Sequence, residues 1–216
     1  MTQGLHYIAV EGPIGVGKTS LASLLAEEFN YRAALERAED NPFLSTFYKD
    51  RSKYSFQTQL FFLLSRYQQQ KEMLQQDLFQ QGVVTDYIFA KDKIFALLNL
   101  LEDELRLYES VYNLLDGRIL KPDLVVFLQA STDILLNRVK KRKIDYEKNL
   151  DEEYLERLSD AYSRFFFSYQ ETPLLVVNCS EMDFVEKPED YKIILREILH
   201  MKTNKLEKHY VTISSK

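Results

Sequence analysis

Residues Gly12-Pro13-Ile14-Gly15-Val16-Gly17-Lys18-Thr19 fit the spacing G-x-x-x-x-G-K-[ST]. Glycines at these positions let successive backbone N–H groups turn toward a phosphate, and a helix beginning there adds positive potential. Lys18 would reach the β/γ-phosphates of a nucleoside triphosphate, and the Thr19 hydroxyl would ligate Mg²⁺. The nucleotide-binding set is therefore Gly12, Gly15, Gly17, Lys18, Thr19 and Ser20. The bland alternative is a glycine turn carrying a surface lysine. Flanking sequence argues against it: Leu5 to Val10 reads as a buried strand, and Ser20 to Phe29 has apolar residues at helical spacing. Strand, loop and helix come in the order the loop's mechanics demand.

Other candidates come from position. Asp86 ends the apolar run Val83-Val84-Thr85, where an acid can hold the Mg²⁺ shell opposite Thr19. Glu36 closes an extended stretch beginning at Arg32, and strand carboxyl ends face the ligand crevice of a parallel sheet. A carboxylate there can accept a proton from an attacking hydroxyl, or be an ordinary solvated glutamate; spacing leaves both open. Phe56, Gln59, Phe62 or Leu63, and Arg66 share one helical face. Such a stripe can read a base edge and stack on its ring, although a core face with polar margins explains the spacing better. Between Arg138 and Glu147 a dense cationic segment lies between two helices, where it fits a lid closing over phosphates.

The elements that position these groups alternate. Strand-like runs at Leu5–Val10, Arg32–Glu36, Val83–Thr85, Asp123–Leu128 and Leu174–Val177 are separated by helical stretches. Continuous apolar strands between helices indicate a parallel sheet covered on both faces. The expected fold is α/β, a doubly wound five-stranded sheet, in one domain over residues 1–201 with a polar tail over 202–216. Asn41-Pro42 reads as a cap with proline in the first helical position, and Tyr54 to Gln80 as a helix on the order of 40 Å long. Helices are also expected to start at Ser131-Thr132-Asp133 and Asp151-Glu152-Glu153.

Composition narrows the classes. A length of 216 residues with 45% hydrophobic content suits one domain with a sizeable core. The net charge of −5 argues against a duplex nucleic-acid partner. The one cysteine, Cys179, excludes an internal disulfide and reads as an inert packed thiol. His6, His200 and His209 lie far apart without an acidic or cysteine partner at ligand spacing, so a dedicated metal cage is not expected. No leader or membrane-length apolar run is read, and a cytoplasmic protein is the expectation.

Together these motifs resemble the deoxyribonucleoside kinase family over nearly the whole chain. Ile8-Ala9-Val10-Glu11-Gly12 is similar to that family's first strand. Glu36 with Asn41-Pro42-Phe43-Leu44 and Phe47-Tyr48-Lys49-Asp50 resembles its catalytic-glutamate region. Gln59 with Arg66 resembles the base-reading helix, and Arg138, Arg142, Glu147 and Tyr154-Leu155 resemble the lid and the helix after it. The resemblance implies that Glu36 takes the proton from the sugar 5′-hydroxyl. It implies that Tyr48 and Glu147 hold the 3′-hydroxyl, with Tyr48 crowding out a ribose 2′-hydroxyl. It implies that Gln59, Arg66 and Asp92 surround the base, that Arg138 and Arg142 clamp the donor, and that the enzyme uses ATP and Mg²⁺ as a homodimer. One departure stands out. Asp86 is followed by Tyr87 where the family usually has arginine, and Lys91, one helical turn on, is placed to restore the cation. Ile144 likewise stands where relatives often carry a further lid arginine.

The implied activity is transfer of the γ-phosphoryl of ATP to the 5′-hydroxyl of a deoxyribonucleoside, with purine or deoxycytidine bases favoured. Two alternatives are a thymidylate-type nucleotide kinase and a nucleotide-binding subunit that has lost catalysis. The first would need cations near the acceptor sugar, where only Arg37 is found. Tyr87 is the best support for the second.

Overall fold

The computed structural model describes residues 5–76 and 82–212. Its centre is a parallel sheet of six strands: β1 (Tyr7–Glu11), β2 (Arg32–Ala34), β3 (Val83–Thr85), β4 (Leu124–Gln129), β5 (Leu174–Asn178) and β6 (Lys208–Thr212). Their spatial order is β2-β3-β1-β4-β5-β6, with every pairing parallel. β1 and β4 are buried along nearly their whole length because helices cover both faces of the sheet. The order reverses at β1, and that reversal opens the crevice at the strands' carboxyl ends.

Eight α-helices are found among the described residues. They are α1 (Lys18–Phe29), α2 (Leu44–Phe47), α3 (Arg51–Gln76), α4 (Lys91–Asn99), α5 (Glu102–Asp116), α6 (Thr132–Arg142), α7 (Glu152–Phe167) and α8 (Pro188–Asn204). The main core joins both sheet faces to α1, α7 and α8, with Phe127 stacked on Phe166 at 4.2 Å. A second cluster, including Leu63, Phe89, Tyr108 and Tyr112, locks α3 to α4 and α5. No described helix is long and apolar enough to cross a membrane.

Three expectations need correction. The sheet has six strands rather than five, and the sixth lies inside the segment read as a polar tail. Lys208–Thr212 escaped notice because edge strands are half exposed, and this one alternates polar and apolar residues weakly. The long helix begins at Arg51, three residues earlier than expected, and the described part ends at Gln76; residues 77–81 lie outside the described set. Asn41 does not directly precede a helix. Its Oδ1 accepts from Phe43 N at 3.0 Å and its Nδ2 donates to Thr58 O at 3.1 Å, pinning the turn before α2 onto α3. The expected starts of α6 and α7 agree, with Ser131 and Asp151 as caps and the Asp151 carboxylate accepting from Tyr154 N.

Candidate active site

The glycine loop joins β1 to α1. Gly12 approaches β4 so closely that a Cβ would sit 2.4 Å from the Leu128 carbonyl, and Gly17 has φ 105°. Both need glycine for reasons of space and backbone. No side chain caps the first turn of α1, which leaves its N–H groups available to an anion. Lys18 Nζ donates to Pro13 O at 3.0 Å, folded over the loop it serves.

At the carboxyl ends of β1–β3 lies a cleft of about 740 Å³. Its walls include Gly15, Lys18, Thr19, Glu36, Tyr48, Gln59, Arg66, Asp86, Lys91, Arg142 and Glu147. Most residues singled out from the sequence therefore converge on one cavity, although they come from nearly every segment between β1 and α7.

Asp86 joins the two halves of the cleft. Its Oδ2 accepts from Thr19 Oγ1 at 2.6 Å and its Oδ1 accepts from the Glu36 amide at 2.7 Å. The Glu36 carboxylate is held from two sides. Arg66 Nε donates to Oε1 at 2.7 Å and Lys91 Nζ donates to Oε2 at 2.8 Å. Burial alone would push this carboxyl up, but Arg66 and Lys91 outweigh it and hold it well below the usual carboxylate range. Lys18 is driven the other way. Burial, aided by repulsion from Lys91, pulls its ammonium down to about 8 against the attraction of Glu11, Asp86 and Glu36.

Helix α3 shows how the polar members of an apolar stripe come to face a cavity. Gln59 Nε2 donates to the Asp92 backbone carbonyl at 2.9 Å, which fixes the orientation of its amide. Arg66 also pairs with the Asp92 carboxylate, and that carboxylate accepts from Tyr108 OH at 2.8 Å. Tyr48 stacks on Tyr146 with centroids 5.9 Å apart and meets Phe47 edge-on. Arg142 grips the Glu147 carboxylate through Nε at 2.9 Å and through Nη2.

Five predicted site residues lie off the cleft wall. Asp92 is fully buried and does not line the cleft; it reaches the site only through Arg66 and through the carbonyl that orients Gln59. Arg138 also stays off the cleft wall. Its guanidinium donates to Val16 O at 3.2 Å, Cys179 O at 3.2 Å and Met182 O at 2.8 Å. Arg138 lies one turn inside α6 from Arg142, so it meets the scaffold before it could reach the cavity. Gly12, Gly17 and Ser20 likewise do not line the cleft, although the two glycines shape the loop that does.

The departure at Tyr87 acquires a structural account. Tyr87 is fully buried beneath the cleft, its hydroxyl has no hydrogen-bond partner, and burial pushes that phenol up. Lys91 supplies the cation on Glu36 instead. One residue escaped the sequence reading of function. The buried Glu11 carboxylate accepts from Gly12 N at 2.8 Å and from Ile88 N at 3.0 Å, tying the glycine loop to the segment after β3. An acid ending a wholly apolar buried strand was the available signal. Cys179 is packed in the core, as expected, and burial pushes its thiol up to about 12.

Arg138→Ala would remove a cationic donor from three carbonyls, of which that of Cys179 keeps the Met182 amide. It should lower the free energy of unfolding by about 1–3 kcal/mol. Arg142→Ala made together with Glu147→Gln, so that no buried carboxylate is left unpaired, should leave stability nearly unchanged. Chemical denaturation of both variants checks this, and equal losses would contradict the assignment of Arg138 as a brace.

Comparison with known proteins agrees with this geometry. The family model described as deoxynucleoside kinase matches residues 8–202. A deoxyguanosine kinase of Bacillus subtilis is 36% identical over 197 residues, covering 89% of this chain and 95% of the relative. A deoxyadenosine kinase of Dictyostelium discoideum is 36% identical over 206 residues, covering 93% and 82%. Among solved structures, deoxyadenosine kinase from M. mycoides with bound dATP superposes with a TM-score of 0.79 at 26% identity, covering 90% of this chain and 99% of that one. Agreement over nearly the whole of both chains leads to one conclusion: the chain belongs to the deoxynucleoside kinase family, ATP-dependent enzymes that phosphorylate a deoxynucleoside.

Proposed function

We propose that the preferred acceptor is a purine deoxynucleoside, with deoxycytidine second, and that Glu36 receives its 5′-hydroxyl. The observation that carries this is the Glu36 carboxylate, held between Arg66 and Lys91 and joined through its own amide to Asp86. A carboxylate kept this acidic is a weak base. Phosphoryl transfer through a loose transition state asks more for orientation of the alcohol than for early proton removal. Glu36 therefore positions the hydroxyl and takes its proton late. Lys91 and Lys18 supply positive field beside the transferring group, and Arg142 adds to it when the lid segment closes.

Tyr48 and Glu147 form the sugar wall in this reading, and the ring stack with Tyr146 keeps Tyr48 rigid enough to exclude a 2′-hydroxyl. Gln59 presents its remaining amide groups to the base. Arg66, braced by Asp92, adds donors that favour the acceptor-rich edge of a purine. Deoxyguanosine and deoxyadenosine kinases among the relatives support this preference. The hydroxyl of Thr19 and the carboxylate of Asp86 are hard oxygen donors side by side on the cleft wall, and they suit Mg²⁺. Bound there, the ion would neutralise charge on the donor phosphates.

The proposal extends to assembly and location. Leu107 and Leu114 lie seven residues apart on α5 and, with Leu97 and Leu101, are more than half exposed. Such a surface suits a second copy of this chain. An inert lone thiol and a nucleotide-salvage substrate fit the cytoplasm.

Steady-state assays with ATP, Mg²⁺ and a panel of deoxynucleosides, ribonucleosides and monophosphates test the reading. Purine deoxynucleosides should show the highest kcat/KM and thymidine the lowest; a thymidine or monophosphate optimum would overturn it. Glu36→Gln should lower kcat on the order of 10²-fold or more while ATP binding stays nearly intact. Near-normal turnover would remove Glu36 from its role. Lys91→Ala should also reduce kcat, and unchanged turnover would show that it does not replace the missing arginine.

Lys18 gives a pH signature. Its depressed ammonium loses its proton as pH rises through about 8 in the free enzyme, whereas a bound triphosphate favours the charged form. ATP binding at and above pH 8 should therefore take up a proton. Calorimetry in buffers of differing ionisation enthalpy should detect that uptake in the wild type and lose it in Lys18→Arg. Identical heats across buffers for the wild type would exclude it.

A further inference from the structure

The sequence spacing suggests no metal cage, yet two of the three histidines meet in the fold. His200 follows Glu197 by three residues on α8, and the return of the chain as β6 brings His209 to the same place. His209 Nε2 lies 3.1 Å from Glu197 Oε2, His200 Nδ1 lies 4.0 Å from that oxygen, and the imidazole rings are 5.6 Å apart. The donor atoms of all three lie within 4.8 Å of one another.

We propose that Glu197, His200 and His209 form a binding site for a divalent transition-metal ion of the zinc class, which clips edge strand β6 to helix α8. Metal–ligand arms of about 2.0–2.2 Å set neighbouring donor atoms roughly 3.0–3.5 Å apart. The Glu197–His209 pair already has that separation, and His200 must close from 4.0 Å on Glu197 and from at most 4.8 Å on His209, a shift of about 1–2 Å. Two imidazoles with one carboxylate favour Zn²⁺, Co²⁺, Ni²⁺ or Cu²⁺ over Mg²⁺ or Ca²⁺, which prefer oxygen.

The surroundings support the assignment. Arg196 Nε donates to Glu197 Oε1 at 3.0 Å, which orients the carboxylate and leaves Oε2 turned to the imidazoles. Orientation of a ligating group by a neighbouring hydrogen bond is the usual companion of such sites. Lys208 beside it donates to the Phe166 and Phe167 carbonyls, so its charge is directed away. His200 is half exposed and His209 about a third, which leaves a path from solvent. None of the three lines the catalytic cleft. β6 has β5 as its single partner in the sheet, so a bridge from α8 would secure the strand with the least support.

Chelator-stripped protein titrated with Zn²⁺, and separately with Co²⁺, tests the proposal. Wild type should bind one Zn²⁺ per chain with a raised melting temperature, and Co²⁺ should give visible d–d absorption. His200→Gln and His209→Gln should each weaken Zn²⁺ binding by about tenfold or more and abolish the melting shift. His6→Gln should bind as wild type, and kinase activity with Mg²⁺ and ATP should be unaltered in all three. Absence of stoichiometric binding would overturn the proposal, as would equal Zn²⁺ affinity across the variants, which would locate the ion elsewhere. Because His209 lies in a strand, His200→Gln, on an exposed helical surface, decides the matter if His209→Gln fails to fold.

Discussion

Four charged side chains that must cancel one another underlie the site: Glu36 and Asp92 against Arg66 and Lys91. All are largely removed from water, where an unpaired charge is untenable and losing one partner of a pair costs about 3–5 kcal/mol. They come from the end of β2, from α3 and from α4, so the need for neutrality is also a positional constraint on those elements. The second core cluster, with Tyr108 reaching Asp92, holds α3, α4 and α5 in the registry this pairing requires. The Glu36 carboxylate is thereby already oriented and already charged, as its proposed role toward a hydroxyl requires. The site gives up base strength in exchange for a fixed geometry, which suits a reaction whose transition state spreads charge over the phosphoryl oxygens.

The donor side is organised by carbonyls rather than charges. Arg138 gathers Val16 of the glycine loop, Cys179 and Met182 onto one guanidinium, and Phe184 lies against Gly17. The loop after β5 and the phosphate loop are thereby a single unit. Glu11 performs the matching service on the other flank. Arg138, which meets backbone carbonyls, and Arg142, which meets the Glu147 carboxylate on the cleft wall, sit one helical turn apart on α6, and only what each reaches distinguishes them.

How much of this was legible in the chain follows from the range of the interactions. The phosphate loop could be read because its chemistry is local: glycines, lysine and hydroxyl within eight residues. The strands could be read because burial on both faces removes polar residues from them. Glu36, Gln59 and Arg66 were ambiguous by spacing, and the family pattern rather than the spacing singled them out. The resemblance put Asp92 beside the base and Arg138 on the donor, whereas the partners they meet in the fold, Arg66 and Tyr108 for one and three backbone carbonyls for the other, are encoded by no spacing. β6 was missed since a half-exposed edge strand lacks an apolar run. The histidine pair was missed since His209 reaches His200 and Glu197 only through the return of the chain as β6, which spacing along the sequence does not encode.

The stack between Tyr48 and Tyr146 carries a further consequence. Tyr48 directly follows α2, whereas Tyr146 belongs to the short turn after α6, next to Arg142 and Glu147. Two aromatic faces in contact make the position of one a condition on the other. If Tyr48 bounds the sugar as proposed, any free energy with which a triphosphate favours one position of that turn would be shared with it. By reciprocity, a sugar that seats well against Tyr48 would favour that position in equal measure. Selectivity among pentoses and grip on the donor would then be two readings of one equilibrium.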